Sequence, residues 1–225
     1  MNPVSKRLQA AVWGGLVLTI IAIVVAFVVK ERSRRSDSPN GIELKQTGAA
    51  SGVLPVLFEV PDFSLTNQTG KSIGRNHLLG RVWIADIIFT RCAGPCPEMT
   101  RRMAELQTTI STKSPVSFVT LTTDPLHDTP PVMAGYARRF MAQPERWHFL
   151  TGTPKQIADF AVGGLKFTTL DKELSEQSDG NDLFIHSTIF VVMDKKGRAR
   201  AVLESDEASF KAKALGIVQK LIKEE

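Results

Sequence analysis

The feature that most constrains this chain is a loop that joins a buried strand to a helix and holds both of its cysteines. "RVWIADIIFT", Arg81 to Thr90, is short, mostly apolar and rich in β-branched residues, as expected of a central strand covered on both faces. Cys92 and Cys96 follow, and "PEMTRRMAELQTTI" then places apolar residues at helical spacing, with Pro97 at the first helical position. The order of strand, cysteine loop and helix predicts an α/β domain with a functional loop.

The rest of the chain alternates strands and helices around this unit. From the hydrophobic periodicity and turn residues we predict a hairpin around Thr66–Gly70, a second central strand in "VSFVTLTT", a helix at Pro130–Met141, a short strand in "WHFL", a helix at Pro154–Val162, a hairpin turning at Asp194–Gly197 and a closing helix in "SFKAKALGIVQKLIKEE". This order predicts a three-layer α/β domain on a mixed sheet, with residues 53–225 as the folded domain.

A second feature lies near the N-terminus, where Ala10–Val29 has Thr19 as its only clearly polar side chain. A helix of this length spans roughly 30 Å, the thickness of the hydrocarbon core of a bilayer. The following "KERSRRS" lacks a small-residue cleavage pattern, so we predict a transmembrane anchor at 10–29 rather than a cleaved signal peptide. Residues 1–9 are then a short flank, and residues 30–52 a basic flank and flexible tether. Basic residues on both sides leave the orientation open.

The net charge of +5 belongs to the flanks of this apolar segment. The first 35 residues carry six basic and one acidic side chain, and the remainder carries 22 of each. A neutral domain without a basic stripe is a poor candidate for binding phosphate backbones, so we expect no nucleic-acid partner.

The two cysteines point to redox chemistry or metal binding. Cys96 is predicted at the N-cap of a helix, where unpaired N–H groups and the positive end of the dipole favour a thiolate and should lower its pKa. Cys92 can approach it because Gly94 and Pro95 bend the loop. Two such thiolates can close a disulfide or bind one soft metal ion, and the residues alone leave both possibilities open.

Two thiolates leave a metal such as Cu(I) short of a ligand, and imidazole is the expected supplement. His77 precedes the central strand at the surface and His148 is a strand-face residue, so neither is favoured. His127 lies in a loop on the same sheet edge as the cysteines and is interpreted as a solvated residue or a secondary ligand. His186 heads the strand expected beside the cysteine-bearing element in a thioredoxin-like sheet, and we predict it as a ligand.

Several motifs in the same order and at compatible spacing make the chain from Pro61 to Leu203 resemble the Sco/SenC family. They are "DIIFTRCAGPCPEMTRRMAEL", "LTTDPLHDTPPVMAGYARRF", "WHFLTG" and "FIHSTIFVVMDKKG". The resemblance implies a thioredoxin-like fold, a central mixed sheet flanked by helices, and copper ligands Cys92, Cys96 and His186. It also implies a membrane-anchored domain outside the cytoplasm, and the short segment before the anchor favours a single-pass protein of a bacterial inner membrane with this domain in the periplasm.

The same resemblance implies a function. Family members are associated with delivering copper to the dinuclear copper centre of cytochrome c oxidase, or with reducing its cysteines before loading. We therefore expect a copper metallochaperone rather than an enzyme, with copper as Cu(I) or Cu(II). Its expected partners are the copper-bearing oxidase subunit or another copper protein, and a thiol reductant. The alternative is a thiol-disulfide reductase that acts on the cysteines of a partner.

Three acidic residues are interpreted with these cysteines. Asp86 lies six residues before Cys92, the spacing of the buried aspartate beneath the redox cysteines of thioredoxins, and is a hypothetical proton acceptor. Asp124 and Asp128 in "DPLHDT" match the loop of the family. They are interpreted either as a turn and helix cap before Pro130, or as support for the copper ligands or contacts during copper transfer.

Other residues near the cysteines have simpler interpretations. Met99 and Met103, four residues apart on the predicted helix, should pack in the core rather than bind copper. Arg91 could stabilise a thiolate, dock an acidic partner or be solvated. The segment 172–184 is predicted to be a mobile insertion before His186.

Overall fold

The computed structural model describes Trp13 and residues 53–167, 169–171, 184–186 and 188–224. The strands are β1 (Phe58–Glu59), β2 (Ser64–Asn67), β3 (Ser72–Gly74), β4 (Val82–Ile88), β5 (Val116–Thr122), β6 (Trp147–Thr151), β7 (Thr169–Asp171), β8 (Phe184–His186), β9 (Ile189–Met193) and β10 (Arg198–Glu204). The helices are α1 (Arg75–Leu78), α2 (Cys96–Thr109), α3 (Pro130–Arg139), α4 (Pro154–Ala158) and α5 (Phe210–Lys223), with a π-helical segment at Asp159–Gly164 after α4.

Eight of the described strands form one mixed sheet in the order β1-β10-β9-β4-β5-β6-β2-β3. Strands β4, β5 and β6 run parallel, whereas β9 pairs antiparallel with the other side of β4. The parallel strands end at the same edge of the sheet, so the loops that follow β4 and β5 meet there. This edge carries the cysteine loop.

The central strands are apolar throughout because both faces of the sheet are covered. Every residue of β4 and β5 is buried. One face packs against α2, α3 and α5, with Ile84 and Phe118 among the side chains that meet them. The opposite face packs against α1, α4 and the π-helical segment, and Leu65 of β2 and Ile73 of β3 belong to the same buried cluster. The prediction of a three-layer domain on a mixed sheet is confirmed.

The element boundaries agree with the sequence pattern in most places, and two differences concern helices. Helix α2 begins at Cys96 with Pro95 at its N-cap, one residue earlier than predicted. The helix predicted at Pro154–Val162 changes after Ala158 into the π-helical segment. Met99 and Met103 are fully buried in the core, as expected.

The prediction for His186 requires a correction. The strand beside β4 is β9, which begins at Ile189, whereas His186 lies in β8, which pairs antiparallel with β7 in a separate two-stranded ribbon. The run "HSTIFVVM" is therefore divided between two sheets. Because β9 is antiparallel to β4, its first residues lie toward the carboxyl end of β4, and His186 precedes them by three positions in the chain.

The expected membrane anchor lies outside the described residues, apart from Trp13. Among the residues that the structure describes, no helix has the length and apolar character needed to cross a bilayer.

Candidate functional site

The cysteine loop leaves the sheet at Ile88 and re-enters regular structure at Cys96, the first residue of α2. A turn bends it early, because the N–H of Cys92 donates to the carbonyl oxygen of Phe89 at 3.2 Å. Cys92 is partly exposed, whereas Cys96 is 0% exposed. The two cysteines are not joined in a disulfide, and their side chains are hydrogen-bonded to each other. The loop thus holds a partly exposed Cys92 in contact with a fully buried Cys96.

The predicted lowering of the pKa of Cys96 is wrong. Burial raises the pKa of this thiol, and the hydrogen bond and negative charge of Cys92 raise it further, with a smaller contribution from Asp86. A backbone hydrogen bond from Phe89 acts in the opposite direction and is outweighed. The position at a helix N-terminus led to the expectation of a lowered pKa, but removing the sulfur from water outweighs any such effect.

Asp86 lies in the middle of β4 on the face covered by α2, and it is 0% exposed. The hydroxyl of Thr120 on β5 donates to its Oδ1 at 2.6 Å, and the indole N–H of Trp147 donates to that hydroxyl at 2.9 Å. The negative charge of Asp86 is close enough to Cys96 to raise its pKa. This carboxyl group therefore lies beneath the cysteine pair. Its role as a proton acceptor stays a prediction.

The buried hydroxyl groups of Thr100 and Tyr136 support the first turn of α2. The hydroxyl of Thr100 donates to the carbonyl oxygen of Cys96 at 2.8 Å and lies 3.0 Å from the hydroxyl of Tyr136 on α3. Burial raises the pKa of Tyr136, and the negative charges of Cys96, Asp86 and Cys92 raise it further. Tyr136 consequently remains a neutral hydrogen-bonding group at the floor of the site.

Asp128 joins the loop after β5 to the cysteine loop. Its carboxylate is 0% exposed and accepts hydrogen bonds from the N–H of Thr90 at 3.0 Å, from the hydroxyl of Thr90 and from the hydroxyl of Thr122 at 2.5 Å. Nδ1 of His127 lies 3.0 Å from its Oδ1. Since Thr90 is two residues before Cys92, this buried carboxylate fixes the start of the cysteine loop.

Asp124 makes a second connection between the same loops. Its Oδ2 accepts a hydrogen bond from Nη2 of Arg91 at 2.6 Å, and its own N–H donates to the hydroxyl of Thr122 at 2.9 Å. Arg91 therefore pairs with a carboxylate beside Cys92. We call the bonds that Asp124 and Asp128 make to Arg91 and Thr90 the loop clamp.

The structure bears on one of the two interpretations of these aspartates, the turn and helix cap before Pro130, whereas their support for copper ligands stays a prediction. The N-cap of α3 is Thr129, and no side chain caps it by a hydrogen bond, so the helix-cap interpretation is wrong. The turn is present, because the N–H groups of His127 and Asp128 donate to the carbonyl oxygen of Asp124. Within this turn, both carboxylates bind residues of the cysteine loop, Asp124 to Arg91 and Asp128 to Thr90.

The comparison with protein families agrees with this architecture. The family model described as SCO1/SenC matches residues 57–223, from the segment just before β1 to the end of α5. The chain belongs to the SCO1/SenC family.

Known proteins match a large part of this SCO1/SenC protein. The SCO1 protein homologue of Bacillus subtilis is 32% identical over 146 residues, which are 64% of this chain and 72% of that protein. The structure of BsSco, a member of the Sco family of cytochrome c oxidase assembly proteins in which a disulfide switch was identified, is 27% identical with a TM-score of 0.66 and covers 78% of this chain and 100% of that one.

A further solved structure is that of Bradyrhizobium japonicum ScoI with copper bound. It has a TM-score of 0.62 and covers 72% of this chain and 99% of that one. At 21% identity this likeness shows a shared fold. Together with BsSco, it supports the thioredoxin-like mixed sheet predicted for this SCO1/SenC protein.

Of the three predicted metal ligands of this SCO1/SenC protein, the structure brings two together. Cys92 and Cys96 are in contact, whereas His186 is described in its backbone only, as the last residue of β8. Most of the predicted insertion, residues 172–183, lies outside the described residues. A second group of metal-ligating atoms, from Asp124, His127 and Asp128, lies within 4.8 Å of one another.

The sequence argument for this SCO1/SenC protein missed the hydroxyl groups that hold the site together. Thr90 and Thr122 follow or end two neighbouring parallel strands, and polar residues at that position are a detectable signal. Thr100 and Tyr136 have no such signal, because each lies within a helix and their contact joins residues 36 positions apart.

Proposed function

We propose that this SCO1/SenC protein carries copper on Cys92, Cys96 and His186. The observation that carries the proposal is the pair of adjacent thiols at the end of β4, held in a loop that the loop clamp fixes. Sulfur ligands select soft ions such as Cu(I), and imidazole is a suitable third ligand for copper. The copper-bound structure of a protein with the same fold, Bradyrhizobium ScoI, supports this choice of metal.

The bound copper is delivered to another copper protein during its maturation. The proposed recipient is the dinuclear copper centre of cytochrome c oxidase. Support comes from BsSco, which is a cytochrome c oxidase assembly protein. The partly exposed Cys92 gives a partner's ligand access, while the enclosed Cys96 retains the ion until that ligand is in place. We further propose that residues 10–29 anchor the protein in a bacterial inner membrane with this domain in the periplasm.

A Cu(I) competition titration on the reduced full chain tests the proposal. The parent protein should bind a single tight equivalent, and Cys92→Ser, Cys96→Ser and His186→Ala should each weaken binding by at least about tenfold, which corresponds to roughly 1.4 kcal/mol. His77→Ala is the control, since His77 is exposed and lies before β4. Equal affinity in the parent protein and His186→Ala would remove His186 from the ligand set.

A second candidate function is thiol-disulfide exchange, which the contact between the two thiols favours. The Cys92 thiolate would attack a partner disulfide, forming a mixed disulfide and releasing one partner thiolate. Cys96, after giving up its proton, would then attack the Cys92 sulfur and release the second partner thiolate. Two electrons pass from Cys92 and Cys96 to the partner, and a separate thiol reductant must restore the dithiol. BsSco, with its disulfide switch, supports this chemistry in a relative.

Asp86→Asn tests whether the buried carboxylate assists this exchange. The substitution removes a negative charge that raises the pKa of Cys96, so the pH profile of disulfide reduction should move to lower pH. Thr120→Val is the matched control, because it removes the hydrogen bond to Asp86 and leaves its charge. A profile identical to that of the parent protein would exclude Asp86 as proton acceptor.

A further inference from the structure

The imidazole of His127 is oriented by a hydrogen bond between its Nδ1 and the buried carboxylate of Asp128. Its Nδ1 lies 3.0 Å from Oδ1 of Asp128, and its side chain is 40% exposed whereas that of Asp128 is 0% exposed. Because the carboxylate accepts, Nδ1 carries the proton, and Nε2 of the neutral ring keeps its lone pair. Metal-binding histidines are usually held in this way, with the second nitrogen donating to a carboxylate that fixes the tautomer and raises the basicity of the ligand.

The loop clamp places this imidazole at the edge of the sheet that carries the cysteines. Asp128, the next residue in the chain, binds the N–H and hydroxyl of Thr90, and Asp124 binds Arg91. Thr90 and Arg91 immediately precede Cys92. His127 is therefore held on the loop that contacts the start of the cysteine loop.

The other two histidines with described side chains lack this combination. His77 is also exposed, but its Nδ1 accepts the N–H of Gly74 at 3.1 Å, so its proton is on Nε2 and its lone pair is already used. His148 is partly buried, and burial together with the charges of Arg81 and His77 lowers its pKa. His127 alone among these three offers an oriented lone pair at an accessible position.

We propose that His127 is a transfer ligand, which coordinates copper through Nε2 beside the cysteine pair while the ion is loaded or released. This inference rests on the proposed copper-carrying function. Imidazole binds copper well, and the buried carboxylate of Asp128, 3.0 Å from Nδ1, makes Nε2 a stronger donor. The step exchanges one ligand for another at the metal and requires no oxidant or reductant.

The first experiment removes the thiols and uses Cu(II) as the probe. The full chain with Cys92→Ser and Cys96→Ser is titrated with Cu(II), and the imidazole NMR signals are followed. His127 should broaden before His77 and His148, and adding His127→Ala should weaken Cu(II) binding about tenfold, the lower end of the effect expected at a metal-binding histidine. Adding His77→Ala instead should change nothing. Broadening of His186 with His127 unaffected would overturn the inference.

The second experiment uses the reduced protein with both thiols and Cu(I). His127→Ala should leave the equilibrium Cu(I) affinity nearly unchanged but slow the transfer of Cu(I) to a chelating probe several-fold, whereas His77→Ala should affect neither. Failure of the cysteine pair to bind Cu(I) would overturn the proposed function. Cu(II) binding to the thiol-free protein that is indifferent to His127→Ala would overturn this inference alone.

Discussion

Buried ionisable groups lie toward both ends of the central strand β4, and their surroundings differ in the sign of the neighbouring charges. At the amino end, Arg200 pairs with Asp194 at 2.9 Å and with Glu224 at 2.6 Å, and its side chain is 3% exposed. Toward the carboxyl end, Asp86 is close enough to Cys96 to raise its pKa, and both groups become negative when they ionise. One end pairs opposite charges, whereas the other gathers groups of like charge.

The pKa values follow this difference. Burial alone would raise the pKa of Asp194, but hydrogen bonds from Arg198 and Arg200 hold it below its ordinary value. Burial alone would lower the pKa of Arg200, and its bonds to Glu224 and Asp194 raise it instead. At the cysteine end, burial and like charges both raise the pKa of Cys96. Charged forms are stabilised at the end where Arg200 binds Leu54 and Glu224, and they are disfavoured at the end that carries the cysteines. Strongly perturbed pKa values are typical of functional sites.

The largest effect is expected from Arg200→Met, which removes the cation at the paired end. The guanidinium also donates to the carbonyl oxygens of Leu54 and Pro55, so its loss leaves two carboxylates and two carbonyls without this donor. Removing one partner of a buried ion pair costs about 3–5 kcal/mol. We expect a loss of about 3 kcal/mol in the free energy of unfolding, measured by urea denaturation, because Arg198 still pairs with Asp194.

Arg101→Met is the matched control for Arg200→Met. Arg101 is exposed and pairs with Glu98 on the same helix, so its removal should cost less than about 1 kcal/mol. If Arg200→Met costs no more than Arg101→Met, the paired end contributes little stability and the contrast with the cysteine end fails.

The second prediction is that the two ends lose stability at opposite limits of pH. The folded pKa of Asp194 is lowered, so its contribution is present above the ordinary pKa of an aspartate, about 3.9, and is lost as the pH falls below it. The folded pKa of Cys96 is raised, so the unfolded chain releases this proton first and stability falls as the pH rises above about 8.5. Each group changes the slope by at most about 1.4 kcal/mol per pH unit.

Urea midpoints measured from pH 3 to pH 11 check both limits. Asp194→Asn should flatten the acid side only, and Cys96→Ala should flatten the alkaline side only. The slopes are compared rather than the absolute stabilities, because Cys96→Ala also removes a buried sulfur. An alkaline slope unchanged by Cys96→Ala would mean that the thiol is not held neutral by its surroundings.

The apolar pattern was sufficient to predict the central strands and the helix that carries Cys96, because burial on both faces produces a continuous hydrophobic run. The pairing of Cys92 with Cys96 followed from four-residue spacing in one bent loop. The pKa of Cys96 could not be predicted in this way. Its direction depends on how completely α2 and the sheet exclude water, which is a property of tertiary packing rather than of position at a helix N-terminus.

The loop clamp and His186 mark a second limit of the sequence argument. Asp124 and Asp128 have the composition of a turn, and nothing local indicates that their carboxylates bind residues more than 30 positions earlier in the chain. For His186, the apolar run that follows it predicted one continuous strand. The chain instead leaves the main sheet before Ile189, a change of partner that periodicity does not record.

The smallest effect is expected from Asp124→Asn, which weakens the loop clamp without removing a buried side chain. The pair with Arg91 is partly exposed on the arginine side, so the cost in the free energy of unfolding should be about 1 kcal/mol or less. The cysteine loop should nevertheless move more freely, because its attachment at Arg91 loses a charge while the attachment of Thr90 to Asp128 remains. Alkylation of Cys92 under native conditions should therefore accelerate more than unfolding does.

Lys155→Met is the control for Asp124→Asn, since its exposed pair with Asp159 lies on the other face of the sheet. Alkylation that accelerates equally in both variants would mean that Asp124 does not restrain the loop, and the cysteine end would then depend on Asp128 alone.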